Sequence, residues 1–97
     1  MAAYMMVLTE VTDPAGMEEY RTHVLPVIEG YGGRFLAAAP PDVLEGDLRP
    51  HVAVILEFPS MERARAWYDG EDYRELKALR HRSARATAVF VDGLPGQ

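Results

Sequence analysis

The sequence predicts an α+β domain of the split β-α-β type, a four-stranded antiparallel sheet with its helices on one face. Three observations carry that expectation. Tyr4 to Val11 alternates with a period of two; His51 to Phe58 is an almost continuous apolar run; and between and after them apolar residues recur at three- and four-residue spacing. At 97 residues the chain fits one domain, 1–97.

The first strand places Tyr4, Met6, Leu8 and Glu10 on one face and Met5, Val7, Thr9 and Val11 on the other. Asp13-Pro14 then supplies an N-cap and a proline at the first helical position, where its missing N–H costs nothing. Met17, Tyr20, Val24, Ile28 and Tyr31 form the buried stripe of this helix, and Pro26 is expected to kink it or split off its last turn. Gly32-Gly33 closes the helix, because glycine accepts a positive φ without a Cβ penalty. Arg34 to Ala39 is the second strand, stopped by Pro40-Pro41 and resumed, on this reading, by Asp42 to Gly46. His51 to Phe58 suits a central strand buried on both sides.

Ser60 caps the next helix, with Ala64, Trp67 and Tyr68 inward, until Asp69-Gly70 breaks it. Glu71 to Ala84 is helical again, with Tyr73, Leu76, Leu79 and Arg80 on one side, and Thr87 to Val91 is the closing strand. The order β-α-β-β-α-α-β is that of a ferredoxin-like fold. Apolar side chains leave both faces of these strands, so the face without helices needs a cover from outside the monomer. A second copy packing sheet to sheet would form a dimeric α/β barrel.

Composition narrows the function. Fifteen acidic residues against ten basic ones give a net charge of −5, which argues against general affinity for nucleic acid or an anionic membrane. With no cysteine, thiolate metal sites and nucleophilic thiols are excluded. The amino terminus lacks the basic n-region of a signal peptide, and its apolar run is too short to span a bilayer, so a cytoplasmic protein is expected. Only Leu94 to Gln97 has the polarity of a loose tail.

The stretches TDPAGMEEYR (12 to 21), YGGRFL (31 to 36), VLEG (43 to 46), LEFPS (56 to 60) and ARAWYDGEDYRELKALR (64 to 80) resemble the domain-of-unknown-function family 1330, DUF1330, of the dimeric α/β-barrel superfamily. The resemblance covers nearly the whole chain and implies the fold and a homodimer. Relatives in the wider superfamily include cofactor-free monooxygenases, muconolactone-type isomerases, polyketide cyclases and haem-degrading enzymes, so it implies no single chemistry. Two departures stand out: Gly-Glu-Asp-Tyr after Asp69, where relatives tend to carry Ser-Pro-Glu-Tyr, and the small residues Ala38 to Pro41 in the second strand.

The expected site is a pocket between the sheet and its helices. Tyr20, His23 and Arg34 are its candidate catalytic residues, and Glu45, Glu57, Trp67, Tyr68, Tyr73 and Arg80 its candidate ligand-binding residues. Each tyrosine also has a plain reading as a core ring whose hydroxyl finds a partner. His23, one turn from Tyr20, is the preferred proton shuttle. Arg34 suits a carboxylate or enolate oxygen and equally an ion pair. Glu57 is read first as half of a salt bridge with Arg34 or Arg80 and second as a base, and Glu45 first as a turn residue. Trp67 is also expected to anchor helix to sheet. The three histidines lack metal-site spacing, so no metal and no cofactor is expected, and His51 and His81 are read as solvated. The expected partner is a small-molecule ligand. The readings are a cofactor-independent enzyme of isomerase, cyclase or monooxygenase type acting on an unsaturated or aromatic carbonyl compound, a dimeric metabolite-binding module, or a structural domain without a pocket.

Overall fold

The structure, a computed structural model, describes residues 1–96; Gln97, the end of the polar tail, lies outside them. The chain runs β1 (Ala3–Val11), α1 (Pro14–Gly30), β2 (Arg34–Ala39), β3 (Val52–Phe58), α2 (Met61–Asp69), α3 (Glu71–Ser83) and β4 (Ala84–Asp92). The strands pair antiparallel in the order β2-β3-β1-β4, which is the expected split arrangement. Extents of 36 × 34 × 17 Å match one sheet layer and one helix layer. No helix of the described residues is long and apolar enough to cross a membrane.

Register decides which side chains meet the helices. Ala3, Met5, Val7 and Thr9 of β1 lie beside Phe58, Leu56, Val54 and Val52 of β3, and this face carries the core. Trp67 sits at its centre, 1 % exposed, with the Tyr73 ring at 4.1 Å and the Phe58 ring at 5.3 Å between centroids. The opposite face stays open. Met6, Val89 and Val91 are 46, 49 and 47 % exposed there. Ion pairs close its ends, Arg34 to Glu57 at 2.8 Å and Arg85 to Glu10 at 2.7 Å.

The helix ends follow local chemistry. The Gly33 and Gly32 N–H groups donate to the Ile28 and Glu29 carbonyls, a Schellman closure that requires the φ of +82° at Gly32. Ser60 Oγ accepts from the Arg63 N–H, the expected cap of α2. Asp13 occupies the cap position of α1 with Pro14 behind it, but its carboxylate makes no capping bond.

Three expectations are corrected. Pro26 does not split off the last turn of α1, which runs as one helix to Gly30; the proline is solvent-exposed, so water can serve the Thr22 carbonyl left without its helical donor. Asp42 to Gly46 does not resume β2, because Pro40-Pro41 ends the ladder and an irregular loop runs on to His51. β4 begins at Ala84, directly off α3, since Ala84 pairs with Val11 while the Thr12 and Asp13 N–H groups hold the Ser83 carbonyl.

At Gly16 α1 packs closely against the end of α3. A Cβ there would clash with Ser83 Oγ, a buried hydroxyl with no hydrogen-bond partner among the described residues. Gly16→Ala is therefore expected to destabilise by about 1–3 kcal/mol. Ser83→Ala should be nearly neutral, and the double variant should recover part of the loss. Urea midpoints of the four proteins check this, and strictly additive losses would refute the contact.

Candidate functional site

A cavity of about 540 Å³ lies between the helix face of the sheet and the three helices, within the size range of small-molecule sites. Its floor is Met5, Val7 and Thr9 of β1 with Val52, Val54 and Leu56 of β3. Its roof is Met17, Tyr20, Val24 and Ile28 of α1, Trp67 of α2 and Tyr73 and Arg80 of α3. The floor is methyl- and methylene-lined because alternate residues of two central strands point inward. Ala38 of β2 leaves the space below α1 unfilled. Exposed Arg21, Leu25, Phe35 and His51 rim the mouth.

Polar groups gather at the end where β1 finishes. Arg80 is 6 % exposed, and no carboxylate lies within ion-pair distance of it among the described residues. Its Nε donates to Tyr73 Oη at 3.2 Å, and Tyr73 and Tyr20 share a hydroxyl–hydroxyl bond of 2.5 Å. Two phenols carry two O–H donors and their mutual bond consumes one. The other has no acceptor among the described residues. Trp67 Nε1–H is likewise buried without an acceptor. Burial and the neighbouring Tyr73 push the Tyr20 phenol far above its ordinary pKa, so it stays protonated.

His51 stands where β3 begins, its own N–H on the Thr9 carbonyl. Its Nδ1 accepts from the Val11 N–H at 3.0 Å, which assigns the proton of the neutral ring to Nε2. No Asp or Glu lines the cavity. What remains unused here is a set of donors: guanidinium, phenol and indole N–H or O–H, with no carboxylate to receive a proton. Such a lining can hold a carbonyl, enolate, phenolate or carboxylate oxygen.

Of the residues singled out in the sequence, the cavity gathers Tyr20, Trp67, Tyr73 and Arg80. It does not gather the others. His23 is exposed on α1, its Nδ1 at 2.9 Å from the Glu19 carbonyl, because the inward position one turn after Tyr20 is Val24. Arg34 and Glu57 point from the open sheet face and bond each other, since Glu57 lies between the inward Leu56 and Phe58. That bond to Arg34 holds the Glu57 carboxyl below its ordinary pKa. Glu45 stands exposed in the β2–β3 loop. Tyr68 packs edge-on against Phe90 at 5.8 Å and lines a different cleft. His51, which the strand phase places among the pocket's polar residues and its position after Pro50 makes a solvated one, lines the cavity at its mouth; Thr9 and Arg21 line it too and carry no such reading in the sequence. The inward parity of Thr9 beside Met5 and Val7 was the available signal for it.

No curated protein matches the chain significantly. Among solved structures, it is similar to a protein of unknown function from Rhodopseudomonas palustris, at TM-score 0.76 and 20 % identity over 96 % of this chain and 82 % of that one. It is similar also to SnoaB, a cofactor-independent oxygenase from Streptomyces nogalater, at TM-score 0.70 and 11 % identity over 96 % and 93 %. A dimeric ferredoxin-like protein of unknown function from Jannaschia sp. CCS1 superimposes at TM-score 0.67 with 13 % identity over 96 % and 100 %. At these identities the likeness establishes the fold. Residues 2–94 match the domain of unknown function DUF1330, and the chain belongs to that family.

Proposed function

We propose that this protein acts, without a cofactor, on a small aromatic or unsaturated compound that carries an acidic oxygen and is held in the cavity as its enolate or phenolate. The observation that supports the reading is Arg80, a buried guanidinium without a carboxylate partner at the polar end of an otherwise apolar chamber. A lone buried cation costs several kcal/mol of desolvation, which a bound oxyanion offsets. Tyr73 or Tyr20 supplies the spare phenolic donor, and Trp67 Nε1–H a further one. Chemistry begun by the ligand's own ionisation fits this lining better than an isomerisation that needs a carboxylate base, because no carboxylate lines the cavity and the Nδ1 of His51 is taken by the Val11 N–H. SnoaB, of similar fold, is a cofactor-independent oxygenase, and oxygenation or cyclisation of an ionised substrate is the matching reaction class.

The same lack of a carboxylate in the lining favours a second reading, in which the protein binds and releases such a compound unaltered. A binding screen of small phenols and enols against the wild type and Arg80→Met tests the site, and product analysis separates turnover from binding. Equal binding by both proteins would overturn the role of Arg80.

The working unit in this proposal is a homodimer formed through the open sheet face. Met6 stands at the centre of that face between Ile55 and Val89, and two neighbours of like fold are dimeric. Met6→Arg would place a guanidinium in the middle of the buried patch and is expected to yield monomers in sedimentation experiments. A dimer that persists in this variant at low micromolar concentration would refute the interface.

A further inference from the structure

Behind Arg80, on the side away from the cavity, a second cleft of about 330 Å³ opens between α3 and β4. It is lined by Tyr68, Arg80, His81, Ala84, Ala86 and Ala88. We propose that this cleft is an anion-binding site that takes a carboxylate or a tetrahedral oxyanion, with Arg80 as the wall it shares with the cavity.

The shape comes from β4. Three alanines in a row on its helix-facing side, at alternate positions, leave room that any larger residue would fill. The charge comes from α3. Arg80 lines the cleft, and Lys77 stands at its edge with Nζ 4.3 Å from the Tyr68 ring centroid and bonded to the Tyr68 carbonyl at 2.8 Å. No Asp or Glu lines the cleft, and β4 contributes only methyl groups to it. The chain as a whole is acidic, with a net charge of −5, yet neither Arg80 nor Lys77 has an ion-pair partner among the described residues.

A plainer account would assign these basic residues to the negative end of the α3 dipole. The direction of Arg80 argues against it. Its Nε bonds Tyr73, seven residues earlier, so the side chain points back along the helix and away from the terminal carbonyls. The helix end contributes roughly half a negative charge. Arg80 and Lys77 contribute two full positive ones, and the balance favours an anion.

His81 serves as the reporter. Arg80 Nη2 lies 3.5 Å from its Nε2, and desolvation, then Arg80, then Lys77, hold the imidazole below its ordinary pKa. The groups that face it are those two cations and the Tyr68 ring across the cleft. An anion seated in the cleft against Arg80 and the imidazole reverses the electrostatic part of that depression.

The experiment follows the three imidazole resonances by NMR through a pH titration, in sodium chloride and in sodium sulfate or sodium acetate at equal ionic strength. His23 and His51 are internal controls. The expected result is an upward shift of the His81 pKa by about one unit in one of the anions, with the other two histidines unmoved. The stronger of sulfate and acetate identifies the tetrahedral or planar class. Ala86→Leu fills the cleft from the exposed strand without changing any charge and should abolish the shift. A His81 response no larger than those of His23 and His51, or one that survives in Ala86→Leu, overturns the proposal. Ala86→Leu also separates this site from the cavity, because Ala86 lines the cleft and not the cavity: a His81 shift that survives the substitution belongs to an anion on the cavity side of Arg80.

Discussion

Arg80→Met is expected to give a protein that folds as well as the wild type and has lost its grip on an anionic ligand. The two halves of that result have separate causes. Methionine keeps much of the length of arginine and removes a charge that is 6 % exposed and has no carboxylate to leave stranded. The variant loses one donor to Tyr73, worth about 1 kcal/mol, and is relieved of a desolvation penalty of several kcal/mol. A melting temperature equal to the wild type's or higher follows. Ligand binding depends on the same group in the opposite sense. A charge-assisted hydrogen bond contributes about 1.5–3 kcal/mol, so affinity for a phenolate or enolate should fall roughly 10- to 100-fold. If turnover is found, losing an oxyanion donor should cost about 100- to 1,000-fold in kcat. Thermal melts and calorimetric titration of the same samples read both halves. A melting temperature lower by more than about 10 °C would instead make Arg80 a structural member of the core.

Trp67→Ala is expected to be the most destabilising single truncation. The indole is 1 % exposed and touches the rings of Phe58, Tyr68 and Tyr73, so its loss removes the packing of α2 and α3 against the sheet together. Phe or Trp truncation in a core costs about 3–5 kcal/mol, against a total of about 5–15 kcal/mol for a small domain. At roughly 4–8 °C per kcal/mol the melting temperature should fall by about 12–40 °C. Trp67→Phe separates packing from hydrogen bonding. It keeps a six-membered ring and deletes the five-membered one together with an N–H that has no acceptor among the described residues, so stability should fall by much less than in Trp67→Ala while binding of an oxygen-bearing ligand weakens. A Trp67→Phe variant that binds as well as the wild type would remove the indole from the ligand-contacting set.

Much of the fold is legible in the sequence alone. Alternation in β1, the apolar run of β3, the Ser60 cap and the Gly32-Gly33 closure are local signals, each read within a few residues. The errors also have local explanations. Asp42 to Gly46 looks like a strand only if Pro40-Pro41 is treated as an interruption, whereas a pair of prolines denies the ladder two donors at once. Placing Glu57 and Arg34 on the helix side overlooks that Leu56 and Phe58, flanking Glu57, are the more apolar pair. Strict parity sends Glu57 to the other face, and Arg34 beside it. His23 was chosen for its distance from Tyr20 along the chain, but its angular position carries it out of the stripe.

The sequence by itself determined the element order, the inward stripes and the caps, because hydrophobic periodicity and turn chemistry act over a few residues. Only the tertiary structure decided the site. Tyr20 and Tyr73 are 53 residues apart, and His51 meets the Val11 backbone across 40. Their meeting depends on strand register and on how α1 and α3 pack, which no local pattern encodes. Burial then gave Arg80 its meaning. A basic residue in the last turn of α3 is ordinary in sequence, and it becomes a candidate oxyanion holder once the fold removes it from water and brings it two phenols instead of a carboxylate.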